Sequence, residues 1–243
     1  MTNMDMKIAG SGTIGAGEYE KISISGSGRI NGAIKCTNLS VSGSASGVSV
    51  DCKEHMGISG SCSFSEDVTT GNAKIAGSFK CGGNFYSSGE VKCAGSAKFN
   101  KDLKCGNLEL AGAIKVDGGV EAETVHIDGK IDCLGLINAE KTVINIENAI
   151  SEIGSIGGGT LTVKTKFRNN LSGLFLRLFY KTNGKIIVTN EIECDMIDIT
   201  AVTAPKVVGR IVKIGDDCKI DVVQYSEEVD ISPKATVGKT EKI

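Results

Sequence analysis

The sequence predicts an all-β protein folded as a parallel β-helix, a solenoid with about 17 residues per turn. A short apolar motif ending in glycine recurs at Gly10, Gly26, Gly43, Gly60, Gly77, Gly95, Gly112 and Gly129. Apolar and polar residues alternate on both sides of these glycines. The 243 residues include 32 glycines, two prolines and no tryptophan, a composition typical of tight solenoid corners. A period this short excludes repeats built from pairs of helices.

Each repeat has the pattern of three short strands. Before the glycine, apolar residues occupy alternate positions, as at Leu108 and Leu110, which is typical of a strand with one buried face. The alternation resumes after the glycine, as at Ile114 and Val116. A third apolar position follows in most repeats, at Ile34, Val68, Phe85, Leu103, Val120 and Ile137. Three strands per turn predict a triangular cross-section, with a glycine where one strand bends toward the next.

The repeat divides the chain into three regions. Residues 1–163 contain the regular turns with glycine-rich corners, residues 164–185 interrupt the alternation, and residues 186–243 resume it. Ile199, Ile214 and Ile231 occupy equivalent positions in the last region, so we expect further turns there, followed by a short polar tail. The sequence leaves open whether these turns continue the same solenoid.

The interrupting region has the pattern of a basic amphipathic helix. Its apolar residues follow a helical stripe, and lysines and arginines accompany them without any acidic residue between Glu152 and Glu191. We interpret it as a helix that binds an anionic membrane surface through Phe167, Arg168, Leu171, Leu174, Phe175, Arg177, Leu178, Phe179 and Lys181. Two alternatives remain open: the helix covers an end of the solenoid core, or it docks on a partner protein.

The nine cysteines occupy positions inside the predicted solenoid or at its corners, where a thiol packs as a small apolar group. Cys36 and Cys52 fall on neighbouring turns within reach of a disulfide. However, the odd cysteine count and the lack of a signal-like N-terminus favour free thiols. There is no CxxC motif, and the two histidines, His55 and His126, are several turns apart. The sequence therefore predicts no metal site.

No residue pattern predicts catalysis or a cofactor. The sequence GSGTIG, from Gly10 to Gly15, matches a dinucleotide-binding pattern but belongs to the strand repeat rather than to a strand–helix junction. Asp216, Asp217 and Asp221 are typical turn residues. Sugar-cleaving β-helix enzymes need carboxylates gathered on one face, and the early turns expose mainly Ser, Lys, Gly and Asn. We expect no enzymatic activity. Two alternative functions stay open for the protein: a carbohydrate-active β-helix enzyme and a capped monomeric binding module.

Charge and hydropathy favour a cytoplasmic protein. The formal net charge of -2 gives no reason to expect a nucleic-acid partner. The N-terminus lacks a signal-peptide pattern, and no apolar run is long enough to span a bilayer. If the amphipathic helix binds anionic lipid, we expect the protein to lie at the inner face of the cell membrane.

The repeat resembles that of the bactofilins, bacterial polymer-forming cytoskeletal proteins. The resemblance rests on the segments LSVSGSASG, LELAGAIKVDGGVEAETVHIDGKIDC and IVKIGDDCKIDVVQYSEEVDISPKATVG, and it covers most of the chain apart from the helical insert. It implies a right-handed parallel β-helix whose units join end to end, without nucleotide, into filaments that scaffold other proteins at the membrane. The sequence departs from the family in lacking a proline-rich tail and an apolar N-terminus and in having more turns, so that it is similar to longer bactofilin-related proteins of Gram-positive bacteria.

Assembly also has a physical rationale. The ends of a solenoid expose core residues and unpaired strand edges, and contact with a second copy satisfies both. We therefore expect the chain to be its own partner, in addition to client proteins that the sequence does not identify. The candidate contact residues are Ile8 and Ile14 in the first turn and Val229, Ile231 and Val237 in the last.

Overall fold

The computed structural model describes residues 4–146, 149–165 and 184–243. Within these ranges every regular element is a β-strand and the strand registers are parallel, so the fold is a parallel β-solenoid of about 13 turns in all. The predicted all-β solenoid is confirmed. The helix predicted over residues 167–181 lies outside the described residues. In the described part of the chain, no helix is long and apolar enough to cross a bilayer.

Contacts divide the chain into two compact units, Met1–Thr124 and Val125–Ile243. The three regions inferred from composition stay a prediction, because they rest on sequence character rather than on contacts. The strands of the first unit are β1 (Met4–Ile8), β2 (Ser11–Ile24), β3 (Ser27–Val41), β4 (Ser44–Gly47), β5 (Ser49–Ile58), β6 (Ser61–Phe64), β7 (Val68–Ile75), β8 (Ser78–Cys81), β9 (Phe85–Ser87), β10 (Glu90–Cys93), β11 (Ser96–Phe99), β12 (Leu103–Lys104), β13 (Asn107–Leu110), β14 (Ala113–Val116) and the first residues of β15 (Val120–Ile127).

Alternation decides which side chains face the core. In β10, Val91 and Cys93 are buried while Lys92 between them is exposed, and Lys92 forms ion pairs with Glu90 at 3.0 Å and Glu109 at 2.9 Å. The third apolar position of each repeat is buried as well, at Ile34, Val68, Phe85, Leu103, Val120 and Ile137. The period of two in the sequence therefore corresponds to one apolar and one polar face on each strand.

A column of glycines marks the corner at which each turn bends. A Cβ atom added to Gly60 would lie 1.9 Å from the carbonyl oxygen of Gly43 on the preceding turn. That oxygen also accepts a hydrogen bond of 2.9 Å from the backbone N–H of Ser61. Only glycine permits this approach of two backbones. The same contact recurs at Gly26, Gly43, Gly77, Gly95 and Gly112.

Four phenylalanines pack together in the core of the first unit. Phe79 lies between Phe64, Phe85 and Phe99, with ring centroids 5.7 Å from Phe85 and 5.9 Å from Phe99. The rings of Phe85 and Phe99 meet edge to face at 5.1 Å, the arrangement that aromatic quadrupoles favour. These inward side chains join successive turns into one apolar column.

The second unit continues the strand numbering with longer strands. They are β16 (Lys130–Ile146), β17 (Ile150–Thr165), β18 (Lys185–Val188), β19 (Glu191–Ile199), β20 (Val202–Ile214), β21 (Lys219–Ile231) and β22 (Thr236–Lys242). β17 includes the glycine-rich stretch near Gly158, whose added Cβ would lie 1.8 Å from the carbonyl oxygen of Ala139. Gly158 also has a positive φ of 129°, a conformation that glycine adopts readily. The strand therefore runs without interruption through this glycine-rich stretch.

Candidate functional site

The last described turn forms an apolar layer directly over the core. Val229 and Ile231 of β21 are register partners of Val212 and Ile214 of β20. Val237 of β22 is the register partner of Ile220. Val229, Ile231 and Val237, which we term the open layer, therefore extend columns of core residues by one position each.

The open layer is far less buried than the residues beneath it. Val212, Ile214 and Ile220 are 1%, 1% and 2% exposed, whereas all three residues of the open layer are half-buried. They face the core on one side only, because the described residues place no further turn over them. Apolar surface left in this position is a contact site that association would remove from water.

β22 has a strand edge available for pairing. Its residues pair in parallel with β21, from Thr236 opposite Lys219 to Lys242 opposite Tyr225. Among the described strands, the registers put none on the outer edge of β22. Its outward N–H and C=O groups can therefore extend the ladder to another chain.

A hydrogen-bonded polar turn connects Ile231 and Val237 of the open layer. Between Ile231 and Val237, the Oγ of Ser232 donates a hydrogen bond of 2.6 Å to Asp216 Oδ1, and Lys234 Nζ lies 2.7 Å from Asp216 Oδ2. These two contacts, the one with Lys234 above all, hold the pKa of Asp216 below its ordinary value. The open layer thus has a fixed polar group at its border, the arrangement of an apolar interface centre with a charged rim.

The first described turn places the other two predicted contact residues differently. Ile8 is 8% exposed and Ile14 is fully buried, so neither offers apolar surface in the described chain. The large exposed apolar side chain of this turn, among the described residues, is that of Met4, at 60%. β1, which contains Met4 and Ile8, pairs with β2 on one edge. The sequence pattern assigned Ile8 and Ile14 to the core face, where the structure places both, and their role as contact residues stays a prediction.

Two shallow grooves lie on the sides of the units. The first, of about 810 Å³, runs along a row of exposed serines that are direct register partners from turn to turn. Its charged lining residues are Arg29 and Lys80. The serines of this row are Ser11, Ser27, Ser44, Ser61 and Ser78. This groove offers hydroxyl groups and cations to a partner, and its lining holds no carboxylate in the described residues.

The second groove, of about 680 Å³, belongs to the second unit and is acidic. Glu193 and Asp195 alternate along β19 and therefore point to the same side of the strand. Arg210, also in the lining, forms an ion pair of 2.7 Å with Glu227. Sequence reasoning missed this groove, because Gly157, Glu193 and Gly209 come from three successive turns and are far apart in the sequence.

The cysteines contribute no metal site in the described residues. All nine are buried and none forms a disulfide, and no group of three or more His, Cys, Asp or Glu side chains in the described chain could hold a metal ion. Burial raises the pKa of the Cys62 thiol to about 12 and that of Cys93 to about 11. Cys62 lies between Ala45 and Phe79 on the adjoining turns, so its environment is apolar.

Fold and site together define a class: a parallel β-solenoid with an open apolar layer and an available strand edge. Over 109 residues the chain is 31% identical to Uncharacterized protein YhbE and 28% identical to Uncharacterized protein YhbF, both of Bacillus subtilis (strain 168). Each alignment covers 45% of this chain, and they cover 44% and 42% of those proteins. The chain thus spans less than half the length of these curated relatives. No family model matches, and no solved structure matches.

Proposed function

We propose that the protein is a self-assembling cytoskeletal scaffold of bactofilin type, in which right-handed β-helical units join end to end without nucleotide. The observation that carries the proposal is the open layer of Val229, Ile231 and Val237 above the buried Val212, Ile214 and Ile220. In this proposal the filaments lie in the cytoplasm, with client proteins bound along their sides.

Burial of the open layer supplies a driving force for assembly. Completing the burial of a half-buried valine or isoleucine contributes on the order of 1 kcal/mol. Three such residues, together with hydrogen bonds along the edge of β22, give a contact that recurs at every junction of a polymer. The open layer would join a different surface of the next copy, the edge of β1 that no described strand pairs with, so the contact is heterologous and extends the assembly along one line rather than closing a dimer.

Filament formation is tested by negative-stain electron microscopy and sedimentation across concentrations and salt strengths. We expect unbranched filaments from the wild-type chain. The double variant Ile231→Arg/Val237→Arg should remain folded by circular dichroism yet stay in the supernatant, because it places two charges in the open layer. Leu134→Arg is the matched control, since Leu134 is an apolar residue of the second unit that is already 62% exposed and lies outside the open layer.

Three results would contradict the proposal. A wild-type chain that forms only monodisperse particles of constant mass would support the capped binding module instead. Filaments that persist in the double variant would show that the open layer is not the contact. Loss of filaments in Leu134→Arg as well would assign the effect to charge in general rather than to this surface.

Attachment to an anionic membrane is a further part of the proposal, and the sequence of residues 167–181 supports it. Phe175 and Phe179 belong to the apolar stripe, and the segment carries cations without anions. We expect Phe175→Asp/Phe179→Asp to abolish co-sedimentation with vesicles that contain anionic lipid. The control Phe175→Leu/Phe179→Leu keeps the stripe apolar and should still bind. Equal binding by all three chains would remove the membrane from the proposal.

The acidic groove favours a second candidate, a carbohydrate-active enzyme. Glu193 and Asp195 stand two residues apart on one face of β19, and a pair of carboxylates is what glycosidases use to cleave a glycosidic bond. The described lining contains no aromatic side chain on which a sugar ring could stack. Turnover of a polysaccharide that is lost in Glu193→Gln and in Asp195→Asn, with the fold retained, would establish this candidate over the scaffold.

A further inference from the structure

Two cysteines face each other across adjacent turns of the first unit. Cys36 of β3 and Cys52 of β5 are direct register partners in a parallel ladder. Neighbouring strands lie about 4.8 Å apart, and disulfides join Cα atoms separated by about 4.4 to 6.8 Å. By contrast, Cys62 is flanked by Ala45 and Phe79.

The ladder is irregular at this pair. The register between β3 and β5 shifts immediately after Cys36 and Cys52, where Asn38 becomes the partner of His55. Such a bulge bends the strand locally and re-aims its side chains. The Sγ atom of Cys52 lies 3.2 Å from the carbonyl oxygen of His55 within the bulge. The pair therefore sits where the backbone can adjust to bring the two sulfur atoms together.

Each of the two thiols also shifts the pKa of the other. A hydrogen bond with Cys36 lowers the pKa of Cys52 against the opposing effect of burial, and the hydroxyl of Thr70 on the next turn adds to the lowering. The same thiol–thiol hydrogen bond, burial and the charge of Asp51 raise the pKa of Cys36. Cys52 therefore loses its proton more readily than Cys36, which remains a protonated thiol beside it.

We propose that Cys36 and Cys52 are an oxidation site that closes to a disulfide joining two adjacent turns when the protein meets hydrogen peroxide. Cys36 is 5% exposed and gives the pair its contact with solvent, while Cys52 is fully buried beside it. The site lies on the inner face of the first unit and is independent of the open layer.

The reaction balances with peroxide as the sole oxidant. The Cys52 thiolate attacks one peroxide oxygen, the O–O bond breaks, and the products are a sulfenic acid and hydroxide. The Cys36 sulfur then attacks the Cys52 sulfur, the S–O bond breaks, and the proton of the Cys36 thiol leaves with the hydroxyl group as water. Overall, two thiols and one peroxide give one disulfide and two waters.

Mass spectrometry tests the proposal on the full native chain. Lys35 and Lys53 flank the pair, so trypsin releases both cysteines on one peptide, residues 36–53. After peroxide treatment, acid quenching and N-ethylmaleimide in denaturant, we expect this peptide to carry no adduct and to be two hydrogen masses lighter than its reduced form. The peptide of residues 54–74, which contains Cys62, is the internal control and should keep its adduct.

The comparison of rates decides the result. Thiols should disappear from residues 36–53 about tenfold faster than from residues 54–74, because the control thiol is buried without a partner and has a raised pKa. Reduction should restore both adducts on residues 36–53. In Cys36→Ser the disulfide should be absent and Cys52 should stop at the sulfenic acid or beyond. Two adducts on residues 36–53 after peroxide, or equal losses from both peptides, would overturn the proposal.

Discussion

Val229 lies directly over Val212 in the register of β20 and β21, yet Val212 is almost completely buried and Val229 is half-buried. The two residues occupy the same column and differ only in what lies above them. A core position and a contact position are therefore the same kind of site in this fold, separated by a single turn.

That relationship predicts opposite outcomes for one substitution. Val212→Asp should unfold the second unit, because it buries a carboxylate without a partner. Val229→Asp should leave the circular dichroism spectrum unchanged and remove the protein from the sedimenting fraction, since the same charge can reach water there. An unfolded Val229→Asp chain would show that the open layer is part of the core rather than a contact.

The glycine column predicts a large penalty at one position and almost none nearby. Gly60→Ala should lower the free energy of unfolding by more than about 2 kcal/mol, because its Cβ would overlap the Gly43 carbonyl oxygen. Gly57→Ala is the control, as its Cβ would meet only the Leu39 carbonyl oxygen, at 4.0 Å. Denaturant unfolding measures both, and equal stabilities would contradict the account of the corner.

Two adjacent aromatic residues of β9 differ in burial, so the stability losses of their alanine variants should differ as well. Phe85→Ala should destabilise the first unit by about 3 to 5 kcal/mol, since Phe85 is fully buried against Phe79 and Phe99. Tyr86→Ala should cost far less, because Tyr86 points outward and is 40% exposed. Thermal unfolding of the two variants provides the measurement, and a larger loss at Tyr86 would reverse the assigned faces.

The ion pair of Asp216 with Lys234 predicts a small dependence of stability on pH. The folded-state pKa of Asp216 is depressed, so its contribution is present above the ordinary aspartate pKa and is lost as the pH falls through the lower, folded value. Asp216→Asn should therefore have a lower Tm than wild type at pH 7, and the two should converge in strong acid.

The effect should also shrink with added salt, because the carboxylate is exposed to solvent. Asp217→Asn is the matched control. It keeps the hydrogen bonds of Asp216 and suits the positive φ of 59° at that position. A Tm difference between Asp216→Asn and wild type that persists in strong acid would assign the effect to packing of the turn rather than to charge.

The fold could be predicted from the sequence because each sequence repeat corresponds to one turn of the solenoid. Alternation around Leu108 and Leu110 predicts one buried face, and both side chains are buried. Val229, however, is half-buried because no described turn lies over it. The local alternation of apolar and polar residues is the same in covered and uncovered turns, so it does not predict this exposure.

Bulges explain why the side surfaces were harder to anticipate. Between Gly209 and Ile211 the register with β21 shifts, so residues on adjoining turns cannot be aligned by counting a constant period. The acidic groove around Glu193 lies beside this shift and was missed. The pairing of Cys36 with Cys52 could be predicted by counting one repeat period along the sequence, because both residues precede the register shift between β3 and β5.

The glycine column also restricts how such a chain can change its length. Each corner glycine must meet the glycine of the turn before it, so an insertion of a few residues would bring a side chain against a backbone oxygen, as at Gly60 and Gly43. Addition of a whole turn preserves every one of these contacts. The first unit can therefore lengthen or shorten only by whole turns of about 4.8 Å each, and gene duplication within the repeat supplies such turns directly.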